Sequence, residues 1–598
     1  MTSADTTKDS PAPTRRAEVA CAALCFVLPL GLYVSTAART VQGGDSGEFA
    51  LIGVLGGVAH PPGYPLYSLL ARLGAAMPTG PLFFRVALVS AISGSAAVVV
   101  IQRAALIASG SLYGSVAAAL VFAVSPVLWL LSGVPEVFSL HVLLSALVVL
   151  LALTIGRSAG VTRGRELVGL GLAFGLGLSN HITLLFLAPV VAWAGWSATK
   201  KSPINLLIAA ALIAAGGAIG LLPYGLLPFF ARHSAPGAMV WGRTDTLSGF
   251  VDHILRRDYG TFRLATGSDA SVFHWPPVAS FLSLLPMQLA YVPFALAVVG
   301  TVLAIRRRMP GAIPILIAWT LAGLFFTSLF NLEMPREISL VIEERFHLLP
   351  ILLLVPFAAI GIAWAVQRVP GPARWAALAG VMAILMIGNR AEANWRSETT
   401  IERYVTAAVS QTAPNAVIVG TSDTWFSAVR WVTQVLRIRP DVRYVDLNIA
   451  RVPWYADQLA RAIPRFPRDA VERPGWQLAL ALAAHDHPTY VLPSDAFKEE
   501  RDRVAMEPEG FVDRIVRPGT PPRPPRDIEG DLLKATDLLD DAPATAADSH
   551  TALRVLPAAL RRHAGIRWLD LASRFQAAGD RDEANRCRAR AKYLNPDD

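Results

Sequence analysis

The residues best placed to do chemistry lie near the N-terminus, in Gly43-Gly44-Asp45-Ser46-Gly47-Glu48-Phe49 and Ala59-His60-Pro61-Pro62-Gly63-Tyr64-Pro65. Two carboxylates three residues apart fall on one face of a helix if Asp45 starts it. They also fit a capping box, in which an N-cap Asp and a Glu three positions on satisfy free N–H groups of the first turn. The two uses are compatible, because a capped helix end can hold a carboxylate rigidly. The second segment is a stiff turn: each proline fixes φ, and Gly63 can take positive φ. It presents His60 and Tyr64 beside Asp45. If the loop borders a bilayer, an acid, an imidazole and a phenol held this way suit a polar head group carried on a lipid.

The elements that must position this loop are membrane spans. Of 598 residues, 53% are hydrophobic and 17% charged, against roughly 45–50% and about 25% in soluble domains. Mean hydropathy is +0.44. The apolar excess lies before about residue 390, in runs near 17–38, 86–109, 113–132, 136–156, 166–180, 182–198, 204–230, 282–305, 311–330, 347–366 and 373–388. About eleven helices of bilayer length follow. Arg15 and Arg16 precede the first run and put the N-terminus in the cytoplasm. Alternation then places Arg103, Arg157, Arg163, Arg165, Lys200, Lys201, Arg306 to Arg308, Arg368 and Arg374 on that same side. Loops 39–85 and 231–281, and everything after 389, are expected outside. A cleaved signal peptide ending at Ser35-Thr36-Ala37-Ala38 is the alternative for the first run, and it leaves the sidedness unchanged. The net charge of +9 therefore reflects orientation, and nucleic acid is not expected as a partner. Cys21, Cys25 and Cys587 give neither a disulfide framework nor zinc spacing.

Glu136, His141, Asn180 and His181 sit at or inside the ends of these runs, where polar groups are costly and point to function. Asn180 has the alternative of a helix C-cap, and His141 that of a helix–helix hydrogen bond. Beyond the spans, 390–516 reads as a small α/β domain: Ala416-Val417-Ile418-Val419-Gly420 and Val442 to Leu447 are strand-like, with helical spacing from Trp425 to Leu436 between them. A proline-rich linker, 517–526, follows. The tail 527–598 has the apolar stripe Trp568, Leu569, Leu571, Ala572, then Gly579, Ala584 and Ala589. Its spacing resembles a tetratricopeptide unit, which would take a protein partner; an unspecialised helical hairpin is the alternative.

The segment Gly44 to Tyr67 resembles the signature of a membrane family related to protein O-mannosyltransferases. Pro135-Glu136-Val137-Phe138-Ser139-Leu140-His141, Leu178-Ser179-Asn180-His181-Ile182-Thr183, His253 to Phe262, and Glu344-Arg345-Phe346 resemble its later loops. The resemblance covers roughly residues 40–460. It implies a mainly α, polytopic fold of the GT-C glycosyltransferase class, here with an external α/β domain and a TPR-like tail. It also implies sugar transfer, of mannose or a similar sugar, from a polyprenyl-phosphate carrier to an acceptor hydroxyl on a protein or glycan. In that class an acidic residue of the first external loop acts on the acceptor, which here is Asp45, with Glu48 as helper or alternative. His60, Tyr64, Glu136, Asn180 and His181 become substrate contacts. Arg256, Arg257 and Arg345 are candidate cations for the lipid phosphate, although Arg345 beside Glu343 and Glu344 has the alternative of an interfacial ion pair. Asp45 and Glu48 can hold one divalent cation, but nothing else demands a metal. A transporter or lipid-carrier flippase, and a non-catalytic scaffold, are the rival readings. The composition, rich in Ala, Gly and Arg, suggests a bacterial inner membrane.

Overall fold

The computed structural model describes residues 14–157, 160–235, 237–258, 273–330, 342–485, 487–492, 503–540 and 555–594. The first span, α1 (Arg15–Thr36), is opened by Thr14, whose hydroxyl accepts the Ala17 N–H at 3.3 Å. The expected first loop folds into two short helices, α2 (Ser46–Leu55) and α3 (Pro65–Ala75). Next come α4 (Leu82–Ser109), α5 (Leu112–Ala123), α6 (Pro126–Ser132) and α7 (Val137–Arg157). Pro126 cannot donate a backbone N–H, so the helix breaks there, and α5 and α6 meet at 64°.

Seven helices among the described residues are long and apolar enough to cross a bilayer, or nine if each of two bent pairs is one span. Nine of the eleven apolar runs correspond to these. The other two form the helices Gly164–Asn180 and Ala312–Ser328, which fall short of that length. Helices inside a bilayer gain little from burying apolar surface, so close backbone approach through small residues takes its place. Gly164–Asn180 packs on Leu206–Gly220 in this way: a Cβ on Gly171, Gly175 or Gly216 would strike the carbonyl of Ile213, Gly217 or Val168. Gly300 and Gly361 do the same for Tyr291–Arg306 and Leu348–Ala365.

Basic side chains tie helix ends together at one end of the bundle. Lys201 Nζ donates to Gly156 O at 2.6 Å, Arg157 to Ala108 O at 3.0 Å, and Arg103 to Glu18 at 2.8 Å. The opposite end carries α2, α3, the start of α7 and the α/β domain. There a five-stranded sheet has the order β2-β1-β3-β5-β4, with β1 Val417–Gly420, β2 Arg443–Asp446, β3 Thr489–Val491, β4 Met506–Glu509 and β5 Val512–Ile515. β1 runs parallel to both β2 and β3, while β5 runs antiparallel to β3 and β4.

The tail forms helices Pro525–Asp540, Val555–Ala577 and Arg581–Leu594, and it docks on this domain. Tyr404 and His563 meet at 2.8 Å, Arg567 pairs with Asp513 at 2.6 Å, and Gln411 donates to Asp531 O at 2.6 Å. Leu556 reaches Gly43 of the first loop, where its Cδ2 lies 2.9 Å from the position a Cβ would take.

Candidate active site

Asp45 stands at the N-cap of α2 yet makes no capping hydrogen bond. Its Oδ2 instead accepts from Arg345 Nη1 at 2.6 Å, and the side chain remains 21% exposed. Glu48 also turns away from the helix end. Its Oε1 accepts the His60 backbone N–H at 2.7 Å, and its Oε2 meets His60 Nδ1 at 2.7 Å. The capping-box alternative is therefore not realised, and both carboxylates are held for other use. His60 Nε2 lies 3.2 Å from the Tyr64 hydroxyl. Gly63, at φ +95, and Tyr64, at φ 44, turn the chain sharply into α3, whose first residue is Pro65.

Arg345 also reaches Glu136 Oε1 at 3.5 Å and lies 5.7 Å over the Phe138 ring. Glu136 is fixed in turn by Ser90, whose Oγ accepts its N–H at 3.0 Å and donates to its carbonyl at 3.1 Å. Behind Tyr64 sits His181, with ring centroids 5.8 Å apart. Thr183 joins His181 (2.7 Å) to His141 (3.2 Å). His141 thus bonds between helices, as its alternative reading held. Asn180 ends its helix and donates to Val137 O at 3.2 Å, which straps it to the start of α7. Arg256 acts electrostatically on Tyr64 and His181, whereas Arg257 is exposed and paired with Asp252 at 2.6 Å. The end of the His253-to-Phe262 motif lies outside the described residues.

Two further parts of the site, the Asp423–Thr424 pair and a tryptophan, were missed in the sequence. Thr424, in the helix Asp423–Arg430 just after β1, accepts the Gly44 N–H at 3.1 Å, so the carboxyl edge of the sheet abuts the first loop. Asp423 beside it acts electrostatically on Asp45, Glu48, His60 and Arg345. The signal was present, because ligands of α/β sheets gather at the carboxyl ends of parallel strands. The other contributor is Trp241, whose ring lies 6.3 Å from His60, 5.9 Å from Phe426 and 5.2 Å from Trp454.

The charges are divided unequally. Burial opposes ionisation of Asp45, but Arg345 and His60 outweigh it and hold the carboxyl below its ordinary range. Burial pushes Glu136 up to about 8 against the pull of Arg345. Desolvation and then the charge of Asp45 raise Asp423 to about 6. The two carboxyls beside Arg345 are thus pushed apart: Asp45 holds its charge more readily than Glu136. Burial disfavours a charged His60, yet Glu48 overrides it and pushes the ring up to about 9 from 6.5. A raised histidine stabilises the fold fully below its unfolded value and loses that contribution as pH rises through the folded one. Thermal unfolding from pH 6 to 10 is expected to show stability falling between about pH 6.5 and pH 9 and levelling above, a fall absent in Glu48→Gln.

Asp45, Glu48 and His60 offer ligand atoms within 4.8 Å of one another and could hold a divalent cation. Such an ion would have to displace the His60 proton and compete with Arg345 for Asp45.

The family described as Protein O-mannosyl-transferase TMEM260 N-terminal domain matches residues 45–203. The chain is similar to Protein O-mannosyl-transferase TMEM260 of Mus musculus, at 29% identity over 465 residues, covering 74% of this chain and 65% of the mouse protein. It is also similar to Protein O-mannosyl-transferase tmem260 of Dictyostelium discoideum, at 24% identity over 74% of this chain and 59% of that one. The chain thus spans less than two thirds of the length of these relatives. The crystal structure of ArnT from Cupriavidus metallidurans in the apo state shares the fold, with a TM-score of 0.50 and 12% identity over 83% of this chain and 98% of ArnT. Taken with the helical bundle and the small open sheet, these likenesses show a mainly helical, multi-spanning membrane protein that shares the fold of ArnT and whose residues 45–203 are similar to the TMEM260 N-terminal domain.

Proposed function

We propose that the protein transfers a sugar, mannose or one like it, from a polyprenyl-phosphate carrier to an acceptor hydroxyl. The observation that carries this reading is Asp45, kept ionised by Arg345 at 2.6 Å on a loop within the TMEM260-like segment. An acceptor hydroxyl is a poor nucleophile, and Asp45 Oδ can take its proton as the oxygen attacks the anomeric carbon. The bond from that carbon to the phosphate oxygen breaks on the opposite face, with inversion, and the lipid phosphate leaves as an anion. Arg345 suits that anion. Its Nη1 is spent on the carboxylates, while its buried Nε has no hydrogen-bond partner among the described residues. Beside Arg345 a small cavity of about 10 Å³ is lined by Phe138, Phe186, Phe326, Phe346 and Leu349 together with His141 and Thr183, so an isoprenoid entering there has to part these rings. Glu48 acts through His60 to set the loop, Tyr64, Glu136 and His181 line the sugar, Asn180 braces the helix ends around it, and Arg256 adds positive charge.

The end of the bundle bearing the site is the external, periplasmic face in this reading, and the basic helix ends stay cytoplasmic in a bacterial inner membrane. The tail's outward face is a TPR-like surface for a protein partner. The test uses purified protein in nanodiscs with polyprenyl-phosphate mannose and glucose donors and a Ser/Thr peptide. Transfer with inverted anomeric configuration is expected, reduced at least about tenfold by Glu48→Gln. Failure to transfer from any such donor, together with transport of substrate across liposomes, would overturn the assignment.

A further inference from the structure

Beside the site, between the membrane domain and the α/β domain, lies a cleft of about 830 Å³. This is toward the upper end of the ~300–1,000 Å³ found for small-ligand pockets. One wall is the loop from Ala231 to Asp245, which leaves the outer end of a membrane span. The other comprises the edge strand β2, residues Arg430 to Gln434, and the helix Pro453–Ala462.

The cleft is joined to the catalytic loop through backbone. Val58 N donates to Met239 O at 3.0 Å, and Trp241 N donates to Val58 O at 3.1 Å. Gly57 makes this pairing possible, because it sits at φ +107 and a Cβ there would collide with the Met239 carbonyl. Two residues beyond Val58 comes His60. The external wall is tied to the same loop by Gln458, whose Nε2 donates to Val240 O at 2.6 Å. Trp241 stands between cleft and site, against His60 on one side and Trp454 on the other.

The charge of the cleft is one-sided. Four arginines line it, Arg243, Arg430, Arg443 and Arg461, against Asp245 and Asp457. Asp457 is already paired with Arg468 at 2.9 Å. Arg430 and Arg443 are held by neighbouring protein groups. The side chains of Arg243 and Arg461, on opposite walls, are both exposed and show no hydrogen bond or ion pair among the described residues.

We propose that this cleft holds the acceptor polypeptide, an extended stretch with acidic residues flanking the hydroxyl delivered past Trp241 to Asp45. The proposal rests on the transferase reading for its destination but not for its binding chemistry. A basic trough of this volume, lined with Trp454, Tyr444 and Tyr455, suits acidic side chains and backbone amides together. Opposed charge steers such a segment and fixes its register.

The experiment measures anisotropy of labelled peptides on the full-length protein in zwitterionic nanodiscs. One peptide has Ser/Thr flanked by Asp and Glu, one by Lys, and one by Ala. The acidic peptide is expected to bind on the order of tenfold tighter than the basic one, with a preference that weakens in salt. R243E/R461E should abolish or reverse the preference, and R243K/R461K should retain it. Equal binding of acidic and basic peptides by the wild type overturns the proposal whether or not the charge-reversed variant folds. So does displacement of the acidic peptide by phosphatidylglycerol, which would mark the cleft as a lipid site. Transfer without peptide preference defeats this proposal alone; peptide preference without transfer from any donor supports the cleft and defeats the transferase reading.

Discussion

Asp45→Asn is expected to lower single-turnover sugar transfer by about 10²–10⁴-fold, the usual contribution of a positioned general base. Asparagine keeps an oxygen that can accept from Arg345 at the present 2.6 Å, so the loop should stay in place. Donor affinity and thermal unfolding should therefore change little while the chemical step is lost. Asp45→Glu tests geometry rather than charge. One more methylene moves the carboxylate against Arg345, and little rescue is expected. Rapid-quench measurement of one turnover separates these outcomes from slow product release. Wild-type turnover in Asp45→Asn would remove the residue from the reaction.

Arg345→Met should produce the second large effect, through two routes that can be told apart. Loss of a cation facing the leaving phosphate costs about 10²–10³ in turnover. Removing it also strands Asp45 and Glu136 without their shared partner, and breaking a buried pair in this way costs about 3–5 kcal/mol of stability. Arg345→Met/Glu136→Gln should recover part of the stability and none of the transfer. The acid limb of the activity profile provides an independent readout. Asp45 is depressed by Arg345, so its ionised form persists as pH falls until the folded value is reached. Without Arg345 the carboxyl rises, and activity remaining in the variant should be lost at higher pH than in the wild type. Arg345→Lys keeps the charge but not the planar fork, and it should restore the acid limb more fully than the rate.

Much of this arrangement was legible in the sequence because its determinants are local. Proline and glycine in His60 to Tyr64 specify the turn, and the apolar runs specify the spans. The parallel strands β1 and β2 could be read from short β-branched runs ending in turns. What could not be read depended on distance along the chain. Asp45 and Glu48 look like a capping box locally, and only Arg345, 300 residues on, and the folded-back His60 claim them instead. Two apolar runs looked like full spans, but their helices, Gly164–Asn180 and Ala312–Ser328, are shorter than that. Thr424 and Asp423 carry no motif, and their place at the site follows from the sheet's carboxyl edge meeting the first loop. Arg257 looked equivalent to Arg256 by sequence, yet a carboxylate five residues away holds it elsewhere.

The closure of the first loop by remote residues also orders events in time. Asp45 leaves the ribosome early, but Arg345 follows it by 300 residues and Thr424 follows Gly44 by 380. Leu556, which packs behind Gly43, comes later still. At about 5–20 residues per second, Asp45 waits roughly 15–60 s for its guanidinium alone. During that interval the first loop lacks the partner that holds its carboxylate in the folded protein. Synthesis itself thus acts as a delay, and a chain cut short before its last helices would lack the Leu556 contact behind Gly43.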